Sequence, residues 1–459
     1  MYRRRDREGK RRWRWILLVI SALVAAWGVF GAVYVGPEPS IEVELERPAI
    51  GAPTAIIARF AEPRRGLGDV ALSLHQGERS LILGQSEALH PSPWKPWERG
   101  VTEVTLAGRA GRREPEWLEE GEVVIRAVAE RMSGILRRAA PVVVEKRVTV
   151  RLRPPSLSVL SGPLYVRQGG SGAIVFRPGE TTVLSGVVAG EAEFRSYPLP
   201  GATGGERFVL FGVPWSLGEV EGIALFAEDD AGNRSVKRAP DGFRPAPPRR
   251  DTIRLSDGFI ERVVPAIASQ TPKLDTSLTP VEQYLWINGE LRRQNRAFLA
   301  ELSKGSAEEF LWRGAFLQLP NSARKASFAE VRSYIYNGRE VDTQTHLGLD
   351  LASVARAPVP ASNAGVVLHA GDLGIFGNTV VLDHGFGFVS VHAHLSAVSV
   401  SAGQQVAKAE PIGRTGATGL AGGDHLHLGL FIQGTAVDPI EWLDPQWIER
   451  NISDRLPLP

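Results

Sequence analysis

The sequence predicts a mainly β protein built from several modules behind one apolar helix, ending in a compact antiparallel β domain. Three observations carry this reading. Residues 15–35 form an uncharged, largely apolar run; short alternating segments bounded by Gly and Pro fill much of the chain beyond it; and seven of the nine histidines crowd between His346 and His427. At 459 residues the chain exceeds one typical domain.

The apolar run is long enough to span a bilayer as a helix. Trp13, Trp15, Trp27 and Tyr34 lie at or near its ends, where aromatic side chains anchor in the interface. Eight Lys/Arg and two Asp/Glu precede it within Met1–Arg14, so the formal charge of +2 is misleading. Without that segment the chain is acidic by about 4. The arginines are expected to stay inside, which makes 1–14 a cytoplasmic basic segment and 15–35 a transmembrane signal anchor. The chain is then a single-pass protein of the cytoplasmic membrane with its C-terminal domain outside, periplasmic or extracytoplasmic. A cleavable signal peptide is the competing reading, disfavoured by the length of the run and the lack of a clear small-x-small site. No clustered basic face marks a nucleic-acid partner. The 0 Cys exclude thiolate ligands, a cysteine nucleophile and disulfides.

Beyond the anchor, "PSIEVEL" (Pro39–Leu45) and "PSLSVLS" (Pro155–Ser161) read as two proline-led entries into alternating strands. They open two β-sandwich modules, 39–153 and 154–243. The second closes with "GIALFAEDDAGNRSVKR", a hairpin whose turn is expected to use Gly232 and Asn233 for positive φ. This phrase is similar to the last hairpin of bacterial immunoglobulin-like modules, which implies spacer or docking units that can meet cell-wall proteins.

A Pro- and Arg-rich edge, 239–251, leads into a helical connector over 251–320. Thr279 is placed as N-cap and Pro280 as the first helical residue, with Val281, Tyr284, Leu285, Leu291, Phe298 and Leu299 along one rough face. Bracing of the following domain is the expected role. Covering its groove is the alternative.

The chemistry lies in the last part, 327–450. "GDHLHLGL" places His425 and His427 two residues apart on a strand, so both imidazoles project from one face. "THLGLD" adds His346 and Asp350, and "VHAHLS" adds His392 and His394. A hydrolytic zinc site needs about three N or O ligands, an open position and a proton carrier not tied to the metal. These six groups suffice for both roles, and they do not form the helical HExxH arrangement.

H-x-x-x-D, then H-L-S after a strand, then H-x-H in "GDHLHLGL", resembles the M23 family of zinc metallopeptidases of the lysostaphin and LytM type, over about Ser327–Leu443. The resemblance implies an antiparallel β catalytic domain that cuts peptidoglycan peptides. It makes His346, Asp350 and His427 ligands of one Zn2+. It makes His394 and His425 the unligated histidines that hold the attacking water and stabilise the oxyanion. His392 stands where the family usually carries Tyr, and Phe328-Ala329 where it often carries Phe-Gly. His369 and His384 match no required position and read as structural. Two other readings stand beside the peptidase: a catalytically silent adaptor of M23 fold regulating another wall enzyme, and a β-module binding protein with structural zinc.

Overall fold

The computed structural model describes residues 5–87, 94–95 and 98–457. It is mainly β. The N-terminal helix α1 (Arg5–Val33) contains a stretch, Arg11–Val33, long and apolar enough to cross a membrane. The chain falls into two compact units, Met1–Pro155 with Glu228–Arg234, and Ser156–Ala227 with Ser235–Pro459.

In the first unit, two antiparallel sheets follow α1. One orders Ser40–Leu45, Thr54–Ala61 and Glu103–Ala110; the other orders Arg79–Ser86, Val70–Gln76, Gly121–Ala129 and Val142–Val150. Residues two apart share a face, so Ile56, Ala58 and Phe60 from one sheet meet Leu72, Leu74, Val123 and Ile125 from the other in one core. At the turn 229–233 only Gly232 takes positive φ, 76°. Asn233 contributes instead through its amide, which donates to Asp229 Oδ2 at 2.9 Å and to the Arg151 carbonyl at 2.7 Å.

The second unit begins with two four-stranded sheets, one around Ser171–Pro178 and Arg207–Gly212, the other around Thr182–Ala189 and Ile223–Asp229. Their aromatic interior, including Phe176, Phe208 and Phe211, is continuous with Trp312, Phe388, Ile432 and Trp442 of the C-terminal region. Arg167 ties the same regions together, reaching Asp438 at 2.6 Å and Glu441 at 2.7 Å.

The large sheet orders Ala323–Ala326, Leu349–Ala352, Leu426–Ile432, Phe388–Ala393, Asn378–Asp383, Gly365–Asp372 and Gln405–Val406, with Thr435–Val437 added against Leu426–Ile432. All these pairings are antiparallel. On one face of the sheet Leu428 and Leu430 enter two neighbouring cores, whereas on the other Phe431 faces the helices together with Val389, Val391 and Ala393. A second sheet pairs Arg249–Arg254 in parallel with Glu330–Tyr336, and the latter antiparallel with Arg339–His346.

Helices α2 (Asp257–Ala268), α3 (Pro280–Trp286) and α4 (Arg292–Lys304) pack on the Phe431 face of the large sheet. Thr279 caps α3 in a reciprocal box with Glu282. Ile287–Leu291 forms a π-turn between α3 and α4. Its extra residue shifts the register, so Tyr284, Leu291 and Leu299 are buried while Phe298 lies 40% exposed, off the face expected from a uniform helical period.

Candidate metal centre and active site

Three strands deliver the cluster. His346 ends the strand Arg339–His346, Asp350 lies in Leu349–Ala352, and His427 lies in Leu426–Ile432, where it pairs with Asp350 in register. Asp350 Oδ1 is 2.9 Å from His346 Nε2 and 2.9 Å from His427 Nδ1, and these two nitrogens are 3.0 Å apart. Close packing requires the glycine at Gly348, inside "HLGLD", because a Cβ there would lie 2.6 Å from the His427 ring.

The donor set fits a metal cation. The Ser327 carbonyl, 2.9 Å from His346 Nδ1, can only accept, so that nitrogen carries the proton. Its Nε2 then faces a carboxylate oxygen and a second imidazole nitrogen. One carboxylate oxygen and two imidazole nitrogens gathered this closely form a donor set that a cation can bridge. Two imidazoles and one carboxylate are borderline ligands that suit zinc, whose bonds of about 2.0–2.2 Å hold ligand atoms a little over 3 Å apart. Asp350 Oδ2 is held by Arg332 at 3.0 Å, which orients the carboxylate from behind. Burial raises the Asp350 pKa, but the His346 charge and hydrogen bonds from His346, His425 and His427 hold it well below the usual carboxylate range.

His394 and His425 stand beside this triangle. The strand Phe388–Ala393 stops one residue before His394, whose backbone turns left-handed with φ 64°. The turn brings its ring to 4.8 Å from that of His425 and 5.8 Å from that of His427. His394 Nδ1 donates to the Thr418 carbonyl at 2.8 Å, which leaves its Nε2 as an acceptor. Burial, with His425 and His427 adding, pushes the His394 pKa down to about 3, so its ring is neutral. His425 Nδ1 donates to the Gly423 carbonyl at 2.8 Å, and its Nε2 lies 3.6 Å from Asp350. Burial pulls His425 down, but Asp350 outweighs it and the pKa is raised. His427 is pushed down to about 4, chiefly by burial.

The other histidines lie elsewhere. His392 pairs with Leu428 in register, on the sheet face opposite His427, and is 1% exposed. His384 is buried against Phe316 and Phe388, and His369 meets the Phe298 ring edge-on at 5.6 Å. Ala329 itself takes the left-handed φ of 61° that a glycine adopts freely, with its N–H bonded to the His346 carbonyl at 2.8 Å.

Residues 344–439 match Peptidase family M23. The chain carries an M23 domain. Its M23 relatives include the DD-carboxypeptidase/endopeptidase Mpg of Neisseria meningitidis serogroup B, 41% identical over 95 residues, which are 21% of this chain and 22% of Mpg. The peptidoglycan DD-endopeptidase ShyA of Vibrio cholerae serotype O1 is 36% identical over 96 residues, 21% of this chain and 22% of ShyA. The chain thus spans about a fifth of the length of these curated relatives. The catalytic domain of lysostaphin from Staphylococcus simulans is 29% identical, with 27% of this chain and 94% of that domain covered and a TM-score of 0.23. The M23 domain includes the whole cluster from His346 to His427.

Sequence reasoning did not reach Arg332, the Ser327 and Thr418 carbonyls, or the helix residues Tyr284, Asn288 and Arg292, which line the pocket over the cluster. Only the spacing 284-288-292, a repeat of four along a helix, signalled that the last three share a face.

Proposed function

We propose that this chain is a membrane-anchored zinc endopeptidase that hydrolyses peptide bonds in the stem or cross-link peptides of peptidoglycan. The observation that carries the reading is the triangle of His346, Asp350 and His427 with two further imidazoles at its edge. His346, Asp350 and His427 would hold the ion. Bound zinc supplies a Lewis acid that polarises the scissile carbonyl and lowers the pKa of water.

The remaining steps belong to the chain's own groups. His394 Nε2, an acceptor because Nδ1 donates to Thr418, takes the proton from the attacking water as the oxygen bonds to the carbonyl carbon. His425, oriented through Gly423, faces the developing oxyanion. The C–N bond then breaks, and the proton passes to the leaving amine. Arg332 keeps Asp350 turned toward the histidines throughout.

In the same reading α1 anchors the chain, with 1–14 cytoplasmic and the M23 domain, over 327–450, in the periplasm. Residues 39–153 and 154–243 serve as immunoglobulin-like β-sandwich modules that meet the wall or its proteins, and 251–320 as a helical connector. Muropeptide analysis after incubation of sacculi with the detergent-solubilised chain tests the proposal. Loss of cross-linked muropeptides, abolished by a chelator and restored by zinc, is expected. A fully zinc-loaded chain that leaves every cross-link intact overturns it in favour of the silent adaptor.

A further inference from the structure

The pocket over the cluster has a second wall, built outside the residues that match the family. Its π-turn joins α3 to α4 so that Tyr284, Asn288 and Arg292 line the pocket, with Arg254 contributed by the strand Arg249–Arg254. π-turns of this kind recur where a helix must aim particular side chains.

The charges of this wall do not balance. Among the pocket-lining residues the cations are Arg254, Arg292 and Arg332, and the single carboxylate is Asp350. Asp350 is already engaged by the histidines and by Arg332. Arg332 also has Glu330 at 3.7 Å. Among the described residues Arg292 donates only to Asn288, to its backbone carbonyl at 2.9 Å and to its side-chain oxygen. Asn288 in turn donates to Asp342 at 2.7 Å, so the nearest acid is reached only through a neutral amide. Among the described residues no carboxylate lies within 4.0 Å of the Arg292 or Arg254 guanidinium.

A half-buried guanidinium without a counter-ion carries a desolvation cost that an anion relieves. Burial accordingly pulls the Arg292 pKa down. The planar fork of arginine matches a carboxylate in a bidentate way, and the neighbouring Tyr284 and Phe259 offer apolar surface for the adjoining carbon chain.

We infer that Arg292, assisted by Arg254, forms a carboxylate-binding subsite beside the metal centre, so that the preferred substrate is a peptide with a free carboxylate on a residue adjoining the scissile bond. The inference deepens the proposed peptidase function and rests on it. One guanidinium–carboxylate contact is expected to be worth about ten- to hundredfold in recognition.

The test uses the full zinc-loaded chain in detergent and two synthetic peptides that differ only in carrying a carboxylate or a carboxamide at that residue. Wild type is expected to favour the carboxylate peptide by at least about tenfold in kcat/KM, mainly through KM. R292Q brings the ratio between the two peptides close to one, R254Q lowers it less, and R292K keeps part of it. Melting curves identify a variant that fails to fold, in which case R254Q, at an exposed position, carries the test. A wild-type ratio near one, or a ratio untouched in folded R292Q and R254Q, overturns the subsite. If wild type cleaves neither peptide, the peptidase reading fails by itself. Binding of the two peptides by calorimetry then decides: a carboxylate preference lost in R292Q upholds the subsite, and equal or absent binding refutes it.

Discussion

Two groups of histidines flank one sheet. His346, His394, His425 and His427 converge beside the face that carries Phe431, whereas His384 and His392 are buried on the other face. Residue type is shared; the neighbours differ. The first group surrounds Asp350, and the Nδ1 of His346, His394 and His425 each meets a backbone carbonyl, so the free nitrogens point inward. In the second group His384 spends both nitrogens locally, at 2.8 Å from the Ala364 carbonyl and 2.7 Å from Ser390 Oγ. Among the described residues neither ring nitrogen of His392 makes a well-formed hydrogen bond. A shared carboxylate and prior commitment of the outer nitrogens are what fit a histidine cluster to the proposed metal-binding role, and counting histidines does not distinguish the two groups.

Removing a member from each group sharpens this contrast. His427→Ala deletes one of the three proposed ligands and is expected to lower bound zinc from one equivalent to near zero, and turnover by about a thousandfold or more. His425→Ala is expected to retain most of the metal and lose about a hundredfold or more in turnover. His384→Gln is expected to keep both. Metal analysis of the purified variants decides the matter; equal zinc loss in the His425 and His427 variants removes the division of roles between them.

Much of this contrast is legible in the chain itself. "HLHLG" fixes His425 and His427 on one face through the period of a strand, and H-x-x-x-D links His346 to Asp350 across a tight connection. Strand alternation alone does not split His392 from His394, since it carries both to the same side; only the resemblance to the M23 motif assigns them different roles. The split arises where the strand ends at Ala393 and the His394 backbone turns left-handed. The π-turn after α3 escaped for the same reason. A one-residue change of register in a helix leaves no mark in its composition, yet it moves Phe298 outward and aligns Arg292 with the pocket. The continuous core between the second pair of sheets and Trp442 rests on long-range packing that no local pattern encodes.

A smaller change tests whether the carboxylate must be oriented as well as present. Arg332 grips the Asp350 oxygen that faces away from the histidines. Arg332→Met leaves the ligands in place and removes that grip, and zinc affinity is expected to fall about ten- to hundredfold, read by competition with a chromophoric chelator. Unchanged affinity in a folded variant means that the backbone alone orients Asp350. The contrast with the other face would then rest only on the presence of the acid.

The smallest effect concerns stability on the opposite face of the sheet. Burial pushes His384 down to about 4 from an ordinary 6.5, against a small opposing contribution from the Ala364 carbonyl. The ring faces Phe316, Phe388 and Ser390, with His392 as its titratable neighbour. A histidine depressed in the folded state binds its proton more readily when unfolded. Its contribution is therefore complete above about pH 6.5 and is lost as the pH falls toward 4. Between pH 7.5 and 5.5 this amounts to about 1 kcal/mol. Acid release of zinc acts over an overlapping range, so the comparison is made on chelated protein, wild type against His384→Gln, by denaturant melts at the two pH values. The variant is expected to start less stable, since it disturbs the bonds to Ala364 and Ser390, and to lose about 1 kcal/mol less than wild type on acidification. Equal losses mean that the His384 ring is already protonated in the fold at pH 5.5, and that its bond to Ser390 does not hold the neutral form.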